Sequence, residues 1–134
     1  GACVDAGEYE KAMGLYQDAI REGVKHGQVY NQMGLCQMAE KDYQGALDSF
    51  NQGYETFVTG HSLGSGAEPA QAAAALNADA RADMALLKEL VYNRAVAYEY
   101  LSEYKKALGL FEDYVSVFGP NEDAEHEIAF LKTR

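Results

Sequence analysis

The six residues KDYQGA at positions 41–46 recur in altered form at two other places in the chain. The first copy, GEYEKA, occupies positions 7–12, and the last copy, SEYKKA, occupies positions 102–107. The shift from Ala12 to Ala46 matches the period of about 34 residues that is typical of stacked helix–turn–helix units. The last copy comes later than one such period allows. The repeat therefore predicts an all-α array with an insertion before its third unit.

The composition predicts one folded, acidic domain. A chain of 134 residues with 48% hydrophobic and 24% charged residues is typical of a single globular unit. The net charge of −10 disfavours nucleic acid as a partner, because phosphate binding needs clustered Lys and Arg and the 11 basic residues are scattered. An acidic surface suits a basic peptide, although solubility alone commonly explains it. No apolar run approaches the roughly 20 residues of a membrane span.

Apolar residues at spacings of three and four predict the helices. A short first helix is expected to end near Gly7, followed by helices over about 8–22, from after Gly27 to 40, from 43, from 80 to 101 and from 104 to 118. We divide the domain into repeat one (1–25, truncated at its start), repeat two (27–57), an insertion (58–82), repeat three (83–119) and a terminal helix (121–133). In that last helix, Asn121 is the expected N-cap, with Glu122 and Asp123 in the first turn and Lys132 and Arg134 near the end.

The insertion combines a predicted loop with an added helical segment. Residues 58–68 contain three glycines and two serines, a composition that favours a loop. Pro69 is expected as the first residue of the added helix, which the alanine-rich stretch 70–75 favours. Residues 77–79 are expected to interrupt it.

Small and aromatic residues recur at matching positions in the units. They are a small residue in the first helix (Gly34, Ala95), a small residue one turn into the second helix (Ala12, Ala46, Ala107) and an aromatic four residues later (Tyr16, Phe50, Phe111). Small residues let helix axes approach to the short end of roughly 8–10 Å, and aromatic rings fill the wedge between successive pairs.

This pattern resembles the tetratricopeptide repeat family over most of the chain outside the insertion. The resemblance implies a right-handed superhelical array of antiparallel helix pairs, an α-solenoid, with a C-terminal capping helix. The next small position is kept as Ala19 and Gly53 but is Tyr114 in the third repeat, which predicts altered packing there. Ile128 and Ala129 also fit the start of a fourth repeat, so the terminal helix is either a cap or a truncated repeat.

The resemblance also implies that the chain binds a peptide or helix in a concave groove lined by first helices. The positions that match the family's groove are Asn31, Leu35, Met38, Tyr92, Asn93, Val96, Glu99 and Tyr100. Asn31 and Asn93 are the best candidates, because an amide can pair with both the donors and the acceptors of a peptide backbone. The alternative is that Leu35, Met38 and Val96 pack on the insertion or on the final helix.

A chaperone-binding branch of the family clamps a C-terminal carboxylate with lysines, an arginine and asparagines. Asn93 and Arg94 resemble part of that clamp, but Asn31 and Leu35 stand where it would place a lysine and an asparagine. Carboxylate clamping is rejected on this ground, since an anion needs charges that the groove lacks.

The segment 60–64 matches the G-x-S-x-G nucleophile elbow of hydrolases, with Ser62 as the nucleophile. That motif functions only between a strand and a helix, and no strand is expected to pair with residues 54–59. His26, His61 and His126 do not have metal-ligand spacing, and the chain has no phosphate-binding loop. We therefore predict no catalytic residue, metal or cofactor.

The sequence indicates a protein-interaction module, not an enzyme, within a larger bacterial-type protein. Its partner is expected to be another protein or peptide. The alternatives are a self-association scaffold that forms a homo-oligomer, a spacer whose groove is filled by the insertion, and a hydrolase at Ser62. The compartment stays open between cytoplasm and cell envelope, because Cys3 and Cys36 do not define a disulfide framework and any targeting segment would precede Gly1.

Overall fold

The computed structural model describes residues 6–21, 27–76 and 80–134. Within these residues the chain forms seven helices and no strand, which confirms the predicted all-α class. The helices are α1 (Ala6–Arg21), α2 (Gly27–Ala39), α3 (Tyr43–Gly60), α4 (Pro69–Ala74), α5 (Arg81–Tyr100), α6 (Tyr104–Phe118) and α7 (Glu122–Leu131).

Helices α2 and α3 form an antiparallel pair. Gly27, at the start of α2, lies beside Gly53, late in α3, so that a Cβ atom on Gly27 would be 3.1 Å from the Gly53 carbonyl oxygen. Further along α2, Gly34 lies against the ring of Phe50, earlier in α3. The start of one helix therefore meets the end of the other.

Helices α5 and α6 pair in the same way. The Lys88 ammonium, early in α5, lies 6.0 Å from the ring centroid of Phe118 at the end of α6. At the other end, the Lys106 ammonium lies 5.6 Å from the ring of Tyr98. In addition, α3 packs against α5 and α6 packs against α7, so each pair is joined to the next helix.

The two pairs also turn in the same way between their helices. Lys41 and Ser102 are the first residues of their two copies of the repeat. Both adopt left-handed backbone geometry, with φ of 65° and 64°. The next amide N–H groups, those of Asp42 and Glu103, donate to the Gln37 and Tyr98 carbonyl oxygens at 2.8 and 2.9 Å. The sequence repeat is thus a repeat of backbone geometry.

Small residues are buried where helices cross, as the sequence predicted for repeats two and three. Ala46, Ala95 and Ala107 are fully buried, and so are the rings of Phe50 and Phe111. In repeat one the corresponding side chains, Ala12, Tyr16 and Ala19, are only partly buried.

The predicted helix end at Gly7 is wrong, because Gly7 lies in the first turn of α1. Glycine is tolerated at the start of a helix as well as just after its end, so this signal has two readings. The short helix expected before Gly7 involves residues 1–5, which lie outside the described residues, as do 22–26 and 77–79.

The loop predicted from residue 58 begins later, because α3 continues to Gly60. Phe57 and Val58 are buried in the main core cluster, and this burial extends the helix past the point where glycine and serine favour a loop. Pro69 opens α4 as predicted, and the Glu68 N–H donates to Gln71 Oε1 at 2.9 Å. Helix α4 packs against α5 and α6, where Ala72 is fully buried.

The terminal helix begins as predicted and ends early. Asn121 Oδ1 accepts a hydrogen bond from the Ala124 N–H at 2.9 Å, and Glu122 and Asp123 lie in the first turn. The helix ends at Leu131, so Lys132 is its C-cap and Arg134 lies beyond it, with its guanidinium carbon 4.3 Å from the Phe130 ring centroid.

Cys36 is 1% exposed and disulfide-bonded, whereas Cys3 lies outside the described residues. In the described part of the chain, no helix combines the length and the apolar character that a membrane crossing requires.

Candidate functional site

Two adjoining recesses open along one face of α5, each with a volume of about 420 Å³. We call them the amide recess and the acidic recess, and Tyr92 is part of both. The amide recess is lined by Ala85, Lys88, Glu89, Tyr92, Asn93, Tyr114, Asn121 and Asp123. The acidic recess is lined by Tyr92, Val96, Glu99, Tyr100 and Glu127.

Helical periodicity places the α5 residues of both recesses on one stripe. Their main spacings are three and four residues, the distances at which side chains lie above one another on a helix. The opposite stripe carries Leu87, Leu90 and Val91, which are fully buried in the core. Helix α5 is therefore anchored on one side and presents the other to the recesses.

Tyr114 shapes the gap between α5 and α7. Tyr114 occupies the position in repeat three that Gly53 occupies in repeat two. Gly53 packs tightly, since a Cβ atom added there would lie 3.0 Å from Leu90. At the third repeat the Tyr114 ring instead packs 5.4 Å from the ring of Tyr92 and 5.3 Å from that of Phe118. The bulky side chain forms a wall of the amide recess, which is the altered packing that the sequence predicted.

Two carboxyl groups meet in the acidic recess. Burial is the largest cause that raises the pKa of Glu99 from 4.5 to about 7, and a hydrogen bond with the Glu127 carboxyl and repulsion by its charge contribute to the same shift. The Tyr92 hydroxyl is close to the same carboxyl groups. Burial raises its pKa most, and the negative charges of Asp123 and Glu127 raise it further. At pH 7 about half of the molecules therefore carry a proton on Glu99 that is shared with Glu127, and Tyr92 remains a neutral hydrogen-bond donor.

Tyr100 places an exposed aromatic surface at the rim of the acidic recess. Its side chain is 58% exposed, and its ring stacks on that of Tyr43 with centroids 4.6 Å apart and planes 18° apart. The stacking holds the ring in place while its other face stays open to a ligand.

The two predicted amide residues have different positions. Asn93 lines the amide recess and donates from Nδ2 to Asn31 Oδ1 at 2.9 Å. Asn31 is fully buried, so it is not accessible to a ligand and orients Asn93 from beneath. Asn31 Nδ2 has no hydrogen-bond partner within the described residues.

The predicted groove residues on α2 do not join the recesses. Leu35 and Met38 are partly buried and pack on a second core cluster formed by Ala46, Leu47, Phe50 and Ala97. These residues belong to α3 and α5, not to the insertion or the final helix. The structure thus brings together Tyr92, Val96, Glu99 and Tyr100, with Asn93 beside them.

Sequence reasoning missed the contribution of α7. Glu127 faces Glu99, and Asp123 lines the amide recess. A signal for both exists, because Glu127 follows Asn93, and Asp123 follows Glu89, by one repeat period. Aligning α7 as a further first helix would have found them.

Arg94 is directed away from both recesses. Its Nε donates to Asn51 Oδ1 at 2.8 Å, and its guanidinium carbon lies 4.5 Å from the Tyr54 ring centroid. The arginine that resembled part of a carboxylate clamp therefore joins α5 to α3.

Ser62 lies in the turn that follows α3, so the segment 60–64 follows a helix where the hydrolase motif requires a strand. His61 Nδ1 is 2.8 Å from the Phe57 carbonyl oxygen, and its Nε2 is 3.4 Å from Asp83 Oδ2. Both ring nitrogens are thus engaged with other groups. Across 6–21, 27–76 and 80–134, no three His, Cys, Asp or Glu side chains are grouped to hold a metal.

No protein-family model matches the chain, and a search of curated proteins finds no similar sequence.

Replacing Glu99 with glutamine is expected to stabilise the chain more at pH 8 than at pH 4. Because the folded chain raises the Glu99 pKa from 4.5 to about 7, the folded state binds this proton more tightly than the unfolded state. Wild-type stability then falls as the pH rises through that window, and glutamine removes the penalty. Thermal melts at both pH values measure the difference.

The matched control is Glu112→Gln, which removes an exposed carboxylate from α6. This control shows how much the stability changes when one negative charge is removed away from the recess. If both variants shift the melting temperature equally at both pH values, Glu99 does not carry the raised pKa.

Proposed function

We propose that this chain is a protein-interaction module that binds a peptide or helix of a partner protein along the recessed face of α5. In this proposal the helix pairs form a tetratricopeptide-like, right-handed superhelical array, and α7 closes it as a capping helix or a truncated repeat. Asn93, Val96, Glu99 and Tyr100 would contact the ligand directly, together with Tyr92.

The pairing of helices supports the array. Two antiparallel pairs have turns of the same geometry, at Lys41 and at Ser102. Their first helices run in the same direction, because Gly27 and Asn31 of α2 lie beside Leu90 and Asn93 of α5. First helices that run side by side would form the inner wall of such an array.

The observation that carries the proposal is the continuity of the two recesses along α5. Together they follow the helix from Ala85 to Tyr100, or about 22 Å at 1.5 Å per residue. The wall combines three tyrosine rings with seven polar or charged side chains, and tyrosine is enriched in binding surfaces. None of the described residues that line the recesses belongs to the insertion, whose described residues pack against other faces of α3, α5 and α6.

Val96→Arg tests the proposal. The larger side chain would occupy the acidic recess, and we expect it to weaken peptide binding by about tenfold or more, equivalent to at least about 1.4 kcal/mol. Peptides would first be selected from a random display library against the wild-type chain, and their affinities then measured by fluorescence polarisation.

Gln52→Arg is the matched control, since it adds the same side chain at an exposed position of α3. It should leave the affinity within about twofold of wild type. If both variants bind the selected peptides as well as the wild-type chain does, α5 is not the binding surface.

Self-association is a second candidate, favoured by apolar surface at the end of the chain. A furrow of about 540 Å³ between α6 and α7 includes Val115, Ile128 and Ala129, and Phe130 nearby is 38% exposed. The mass of the monomer at all concentrations in sedimentation equilibrium would eliminate this candidate.

A further inference from the structure

We infer that the acidic recess binds the cationic side chain of a lysine or arginine from the partner, held between the carboxylates of Glu99 and Glu127 and against the rings of Tyr92 and Tyr100. This inference rests on the proposed function and specifies the chemistry of its ligand. The occupant is a basic residue of another polypeptide.

The basic side chains Lys88 and Arg94 of α5 are engaged outside the acidic recess. Lys88 lies over the ring of Phe118, and Arg94 lies over that of Tyr54 and donates to Asn51. No ion pair joins Glu99 or Glu127 to any residue within 6–21, 27–76 and 80–134. Two facing carboxylates without a counter-charge attract a cation, and the net charge of −10 would steer one toward the chain.

The acidic recess also has an aromatic wall. The rings of Tyr92 and Tyr100 line the recess, and Val96 between them adds an apolar surface. Aromatic faces attract an ammonium or guanidinium group, and the apolar wall suits the methylene stem of a lysine or arginine side chain. A small metal ion would gain nothing from these walls, so they favour an organic cation.

The acidic recess also holds a proton that a bound cation would displace. Glu99 from α5 faces Glu127 from α7, Tyr92 and Tyr100 line the same recess, and Asp123 and Tyr114 lie close enough to Tyr92 to raise its pKa. A bound cation takes the place of the proton that bridges the carboxyl groups, and that proton passes to solvent. With a Glu99 pKa of about 7, binding is expected to release about half a proton at pH 7 and to be roughly tenfold weaker at pH 6 than at pH 8.

The experiment is calorimetric titration of the full chain with a selected peptide and with its variants in which each lysine or arginine is replaced by norleucine. Titrations at pH 7 in two buffers of different ionisation enthalpy give the number of protons released. We expect one norleucine replacement to weaken binding by about tenfold or more and to abolish proton release.

Glu99→Gln should remove the proton release and weaken binding of the original peptide, whereas Glu112→Gln, with the same loss of charge, should leave both unchanged. Circular dichroism establishes that both variants fold, and Glu127→Gln provides a second test from the opposite wall. Together these results would support the inference.

Other outcomes overturn it in distinguishable ways. Peptides that bind along α5 without a basic residue, and with no proton release, would leave the proposed function standing and end this inference. A failure to select any peptide would overturn both. If spermidine bound as tightly as the peptide, the recess would be assigned to a free polyamine. If the chain dimerised and Glu99→Gln abolished the dimer, the recess would be assigned to a second copy of the chain.

Discussion

Replacing Phe111 with alanine is expected to lower the free energy of unfolding by about 3–5 kcal/mol. The Phe111 ring is fully buried in the main core cluster and meets the ring of Tyr92 edge-on, with centroids 5.5 Å apart. Its loss would leave a cavity where α5, α6 and their neighbours meet. Because small domains are stable by only about 5–15 kcal/mol, this is a large share of the total.

Denaturant unfolding followed by circular dichroism measures this effect. Phe130→Ala is the matched control, because that ring is 38% exposed and its removal should cost less than about 1 kcal/mol. Phe111→Ala should also weaken peptide binding, since Tyr92 packs on the ring that is lost. Equal, small effects of the two substitutions would contradict the described core.

Gly34→Ala is expected to destabilise the chain by about 2 kcal/mol, although alanine is the better helix former by about 1 kcal/mol. A Cβ atom at Gly34 would lie 2.3 Å from the Phe50 ring, which is fully buried and would have to shift within the core. The overpacking therefore exceeds the gain in helix propensity.

The control is Gly109→Ala in α6, where an added Cβ atom meets nothing within 4 Å. This substitution should stabilise the chain by up to about 1 kcal/mol, the propensity gain alone. The opposite signs make the pair of variants decisive. If Gly34→Ala were as stabilising as Gly109→Ala in denaturant unfolding, α2 and α3 would not cross closely.

Most of the fold could be predicted because the helix pairs depend on local patterns. Side-chain size at Gly34, Ala46 and Phe50 determines how closely α2 and α3 approach. The corresponding residues of repeat three determine the approach of α5 and α6 in the same way. The end of α3 could not be predicted, because the burial of Val58 comes from contacts with distant parts of the chain.

The candidate site was only partly predictable. Tyr92, Val96, Glu99 and Tyr100 share a stripe that helical periodicity alone determines. The burial of the Asn31 amide depends on the close approach of α2 to α5, where a Cβ atom on Gly27 would lie 3.3 Å from Leu86 and 3.8 Å from Leu90. Glu127 could be found from the sequence only by aligning α7 as a further first helix, because its place opposite Glu99 depends on how α7 packs against α6.

The most direct test of the central claim, that the recessed face of α5 binds a partner, is an NMR titration of the ¹⁵N-labelled chain with a selected peptide. We predict that the largest chemical-shift changes fall on Tyr92, Val96, Glu99, Tyr100 and Glu127. Changes confined to α3 and α4, with these five residues unmoved at saturation, would contradict the claim.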